Sequence, residues 1–127
     1  MRLEFFSDGF DGGPLLLLYG GAPREVALLR DALLALTHTT GSLPIHSLPF
    51  VESVEHCALT AISADHDVGA RETETAHDFA WVLRPESWLE VHELLAPFCD
   101  SEEETTRFQY LNPVAGTEVI YSTDRAW

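Results

Sequence analysis

Short apolar runs bounded by polar residues mark two strands at the start of the chain, RLEFF at 2–6 and LLLLY at 15–19. Between them lies SDGFDGGP, whose Asp and Gly residues suit a turn, so the pair predicts an opening hairpin. The period then changes. From Pro23, apolar residues recur at Val26, Leu29, Leu33 and Leu36, a helical spacing widened by Leu28, Ala32 and Ala35. Pro23 fits a first helical position and Glu25 the positive end, while Thr37, Thr39, Thr40 and Gly41 predict where the helix stops.

Prolines at 44 and 49 confine SLPIHSLPF to a short edge strand or an extended loop. VEHCALTAIS at 54–63 reads as a strand, with Val54, His56, Ala58, Thr60 and Ile62 on one face and Cys57, Leu59 and Ala61 on the other. HDFAWVLR at 77–84 behaves likewise, Phe79, Trp81 and Leu83 opposing Ala80 and Val82. A second helix is predicted from Pro85, with Trp88, Val91, Leu95 and Phe98 as its apolar stripe and Pro97 near its end. Glu86, Glu90 and Glu93 fall on its opposite, solvated face. Two last strands follow, TTRFQYL at 105–111 and TEVIYST at 117–123, joined through NPVAG.

The resulting order is roughly ββαβββαββ. It predicts a single α+β domain spanning 1–127, with a mostly antiparallel sheet of about six to seven strands and two helices. No internal sequence repeat is visible. Strand runs that are apolar on both faces require a cover for the second face. Either the helices lie on opposite sides of the sheet, or a homodimer buries it.

Charge narrows the range of partners. Seven cationic residues face 21 acidic ones, a formal net charge of −14, and all seven cations are arginines scattered from Arg2 to Arg125. A phosphate-binding surface needs clustered cations, so nucleic acid is excluded and a basic protein partner is favoured. The N-terminal residues carry charges at Arg2, Glu4 and Asp8, and LLLLY is too short to span a bilayer, so a cytoplasmic protein without a membrane partner is expected. In that compartment Cys57 and Cys99 are expected as free thiols.

Candidate chemistry is sparse. Gly20 and Gly21 lie between a strand and a helix, where phosphate cradles are built, but there is no following lysine and Pro23 has no amide hydrogen to give. Glu25 would repel an anion there, so a simple corner is expected. Cys57 reads as a buried sheet thiol, and Cys99 sits at a helix C-terminus before Asp100, an environment that disfavours thiolate. No GxSxG, HExxH or calcium-loop spacing occurs. No catalytic residue and no cofactor is assigned, and enzymatic function has no motif to support it.

The stretch 64–78, ADHDVGARETETAHD, is the densest in ionisable groups and reads as a solvated acidic loop. Asp65, Asp67, Glu72, Glu74 and Asp78, followed by Glu102, Glu103 and Glu104, are the candidate contacts to a basic partner. His66 and His77 with Asp65 and Asp78 form the best metal candidate, which would serve a metal-dependent or small-ligand enzyme. A structural homodimer is the third alternative. Small, acidic, single-domain and poor in motifs, the chain resembles bacterial immunity proteins in general character only. That likeness points to a binding module that covers a basic partner.

Overall fold

A computed structural model describes residues 1–9, 13–38, 40–99 and 107–125. They form an α+β fold of nine strands and two helices. The strands are β1 (Arg2–Phe6), β2 (Leu15–Tyr19), β3 (Gly41–Pro44), β4 (Glu52–Ser53), β5 (Ala58–Ser63), β6 (Gly69–Glu72), β7 (Asp78–Leu83), β8 (Phe108–Tyr110) and β9 (Glu118–Ser122). The helices are α1 (Pro23–Leu34) and α2 (Pro85–Leu94), and each runs on into a 3-10 turn, at Ala35–Thr37 and Ala96–Phe98.

The strands divide into two mixed sheets, ordered β4-β1-β2-β9-β8 and β3-β5-β7-β6. Antiparallel pairs remain in the majority, but β2 runs parallel to β9, β5 to β7 and β1 to β4. Two strands exceed the sequence expectation. The two-residue β4 is too short to show a period, and β6 lies within the stretch expected as a loop, where it pairs with β7 from Gly69 opposite Val82 to Glu72 opposite Phe79. The strand expected at 54–63 starts only at Ala58, because Glu55 and His56 adopt left-handed backbone angles in a 3-10 turn.

The two sheets share one plan, invisible as sequence similarity. Leaving β4 aside, each sheet is an antiparallel hairpin, a central parallel pair and an outer antiparallel strand: β1-β2-β9-β8 in one, β6-β7-β5-β3 in the other. The chain is therefore two ββαββ units, β1β2α1β3β5 and β6β7α2β8β9, that have exchanged their last two strands. The helices repeat the plan residue by residue. Val26, Leu29, Leu33 and Leu36 in the first unit and Trp88, Val91, Leu95 and Phe98 in the second are all buried, at identical spacing from Pro23 and Pro85.

One core lies between the sheets and takes both helix stripes. Leu3, Leu16, Leu18, Val119 and Tyr121 enter it from the first sheet, and Leu59, Ala61, Phe79, Trp81 and Leu83 from the second. Phe5 meets Phe79 across the gap at 4.8 Å, Trp81 meets Trp88 edge-on at 4.7 Å, and Phe98 meets Tyr121 at 4.9 Å. Helices on opposite sides of one sheet are thus replaced by two sheets closing on a helix pair. The other face of the first sheet is apolar as well, with Leu15, Leu17, Tyr19 and Ile120 buried in a second cluster beside Phe6. On the second sheet the outward residues Thr60, Ile62, Ala80 and Val82 stay half-buried.

An isolated bridge between Ala70 and Thr117 ties the sheets at one edge. Gly69 permits the approach: at φ +93, a Cβ there would sit 2.6 Å from the Ala115 carbonyl oxygen. Buried Trp81 donates its indole N–H to the Asn112 side-chain oxygen, and Asn112 in turn donates to the Thr117 carbonyl, leaving this polar pair satisfied.

Candidate functional site

The acidic stretch 64–78 folds as two turns separated by β6. Asp65 and His66 are exposed in the first turn, their side chains 3.0 Å apart. Asp67 is half-buried and committed inward. Its carboxylate accepts the Arg84 backbone N–H at 2.8 Å and the Ser87 hydroxyl at 3.0 Å, with the Arg84 guanidinium 3.4 Å away. Burial pulls this carboxyl upward, but the hydrogen bonds from Arg84 and Ser87 and the Arg84 charge outweigh it and hold the group below its usual range. Asp67 is therefore bound to the start of α2, through the Arg84 amide and the Ser87 hydroxyl, rather than offering a free charge.

In the second turn, the Glu72 carboxylate accepts the His77 backbone N–H at 2.9 Å and Asp78 accepts the Thr73 hydroxyl at 3.0 Å. These bonds hold His77 at φ 63, and its ring packs 5.8 Å from Phe5. Glu74 is exposed. A four-residue strand spans roughly 10–13 Å, so His66 with Asp65 and His77 with Asp78 stand at opposite ends of β6 and are not brought together. Among the described residues, no group of three or more His, Cys, Asp and Glu side chains is placed to hold a metal ion. Glu102, Glu103 and Glu104 lie outside the described residues.

The glycine corner is occupied by the chain's own carboxylate. Glu25 Oε1 accepts the Ala22 N–H at 2.9 Å and lies 3.5 Å from the Met1 amino group, which also donates to the Phe50 carbonyl. Ala22 and Arg84 are equivalent N-cap residues of the two units, so each helix start has its N-cap amide bonded to an internal carboxylate, Glu25 or Asp67. A cavity of about 480 Å³ opens beside the first, lined by Arg2, Tyr19, Gly20, Glu25 and Glu52 among others. Its charged lining is already paired, Glu25 with the Met1 amino group and Glu52 with Arg2.

Register reveals a cluster that spacing alone did not. Arg2 pairs with Tyr19 and Glu4 with Leu17, so Tyr19 and Glu4 are diagonal neighbours on one face. The Tyr19 hydroxyl donates to Glu4 at 2.9 Å, and the Arg125 guanidinium reaches both Glu4 oxygens, at 3.2 and 3.0 Å, while lying over the Phe6 ring. The Arg125 hydrogen bond, opposed by burial and aided by Tyr19, keeps the Glu4 carboxyl below its ordinary value. These contacts tie Arg125 to the outer face of the first sheet.

Both cysteines are free thiols. Burial, with the Glu4 charge adding, pushes Cys57 up to about 12, which removes it as a nucleophile. His56, beside it, is exposed in a 3-10 turn while Cys57 is buried, so the imidazole is not its base. No helix among the described residues is long and apolar enough to cross a membrane. No protein-family model, no curated protein and no solved structure matches the chain.

Proposed function

We propose that this protein is a binding module that presents an acidic surface to a basic partner protein and acts by contact rather than by chemistry. The observation that carries this reading is charge without internal compensation. Acidic residues outnumber cations 21 to 7, and Arg84 and Arg125 are already paired with carboxylates of the same chain. Exposed Asp65, Glu72 and Glu74 on the β6 hairpin, with Glu102, Glu103 and Glu104, are the proposed contacts. Asp67 and Asp78 support the hairpin from within.

The test is partner capture from a lysate of the source cells at low and high salt, using the protein and a triple variant D65N/E72Q/E74Q. Salt-sensitive capture that the triple variant weakens further is the expected result. Salt-independent capture, or none, overturns it.

A homodimer is a second reading, favoured by the half-buried outer face of the second sheet, where Ile62 and Val82 lie side by side. Light scattering that returns the monomer mass across the accessible concentration range removes it.

A further inference from the structure

The exchanged-strand architecture supplies a comparison within the molecule. Helices α1 and α2 play the same structural part, so positions they share are those that packing demands. An exposed position whose character differs between them is not set by the shared architecture. The apolar stripes correspond position for position, whereas the outer faces do not. Helix α2 carries Glu86, Leu89, Glu90, Glu93 and Leu94 there; the equivalent positions of α1 are Arg24, Ala27, Leu28, Asp31 and Ala32. The fold thus tolerates a mixed face and requires neither the glutamate stripe nor the leucines beside it.

At 100° per residue, Glu86, Glu90 and Glu93 run down the middle of the outer face of α2, with Leu89 along one margin and Leu94 along the other. Together they line a shallow groove. Leu89 is 45% exposed and Leu94 36%. Among the described residues no ion pair joins Glu86 or Glu90 to a cation. Glu93 lies 3.8 Å from His92 Nδ1, but that nitrogen faces the Arg30 guanidinium at 3.3 Å. Arginine only donates, so His92 Nδ1 accepts and has no proton for Glu93.

We propose that this face of α2 is a docking surface for a basic amphipathic helix of a partner protein. Arginines or lysines of the partner at helical spacing oppose Glu86, Glu90 and Glu93, and its apolar side chains cover Leu89 and Leu94. Charge complementarity selects the occupant: three carboxylates without bound counter-charge repel an acidic or neutral-polar segment, and the leucines reward one with apolar flanks. The inference rests on the basic-partner reading above and adds a contact surface on α2 to the one on the β6 hairpin.

The test uses the full chain and two synthetic peptides. One is a helix-forming peptide with arginine at i, i+4 and i+7 and leucine on both sides of that stripe; the other carries the same arginines with alanine for leucine. Binding is followed by amide chemical shifts and by titration. Shifts confined to α2, an affinity reduced about tenfold or more in E86Q/E90Q/E93Q, and a preference for the leucine peptide that L89A/L94A abolishes support the proposal. All these side chains are on the solvent face, and an unchanged Tm confirms that the variants fold. Binding lost in E72Q/E74Q but kept in E86Q/E90Q/E93Q overturns the α2 site while leaving the basic-partner reading in place. Equal binding of both peptides to every variant, or no binding, overturns it as well.

Discussion

Arg30 of α1 donates from Nε to the main-chain carbonyl of His92 in α2 at 2.8 Å, and each is the eighth residue of its helix. Equivalent positions of the two units therefore meet where the helices touch. The contact is asymmetric, since an arginine and a histidine occupy symmetric places and only the arginine reaches across. Removing it should loosen the pairing of the two units. R30A is expected to cost about 1–2 kcal/mol, the worth of a charge-assisted hydrogen bond at a half-buried site, and to lower Tm by roughly 3–8 °C. Thermal unfolding checks this, and a Tm unchanged within a degree would show that the contact is incidental.

Asp67 accepts hydrogen bonds from the Arg84 amide and the Ser87 hydroxyl at the start of the second helix. D67A should destabilise by about 1–2 kcal/mol, as loss of hydrogen bonds to a carboxylate does. D65N, two residues earlier on an exposed side chain, should leave urea stability unchanged. Equal effects of the two changes would contradict the assignment of Asp67 as the structural member of the acidic stretch.

Stability should fall on the acid side. Glu4 and Asp67 both have lowered carboxyl values in the folded protein, so the unfolded chain takes up protons first as pH drops. Their contribution is fully present above the ordinary values of 4.5 and 3.8 and is lost as pH falls through the lowered ones. Urea midpoints measured from pH 7 to pH 2 should decline mainly below about pH 5. In E4Q/D67N the decline should be shallower, and a parallel curve would count against this linkage.

Thiol chemistry should separate the cysteines. Cys57 is 1% exposed with its ionisation pushed up to about 12, whereas Cys99 is only partly buried. A disulfide reagent at pH 8 is expected to label Cys99 in the native protein and both residues in guanidinium. Rapid native labelling of Cys57 would mean that the core around β5 opens readily.

Gly69 lies where β6 approaches the 113–116 turn. G69A places a Cβ against the Ala115 carbonyl in a backbone conformation that alanine adopts poorly, and a loss of roughly 2 kcal/mol or more is expected. G41A, at a position with open space around its Cβ, is the control and should shift Tm little.

Local pattern by itself determined most of the elements. The strands at 2–6 and 15–19 and the starts of both helices at Pro23 and Pro85 follow from short apolar runs giving way to a period of 3.6, with proline fixing the helix entry. The same pattern set the α+β class and identified Val26, Leu29, Leu33, Leu36 and their counterparts as core. It also put Glu86, Glu90 and Glu93 in solvent. Strand β6 escaped it because GARE has no apolar alternation; pairing with β7 and the bond from His77 to Glu72 make it a strand.

Tertiary structure alone decided the rest, since strand order and register depend on contacts between residues far apart in sequence. The parallel pairing of β2 with β9 joins the two ends of the chain, and no local period encodes it. That pairing splits the expected single sheet into two, creates the exchanged-strand duplication and brings Arg30 to His92. It likewise sorted the acidic residues: Asp65 and Asp67 are equivalent by composition, but only one meets the amide at the start of α2. Sequence supplied the carboxylates, and packing determined which were committed to the fold and which face solvent.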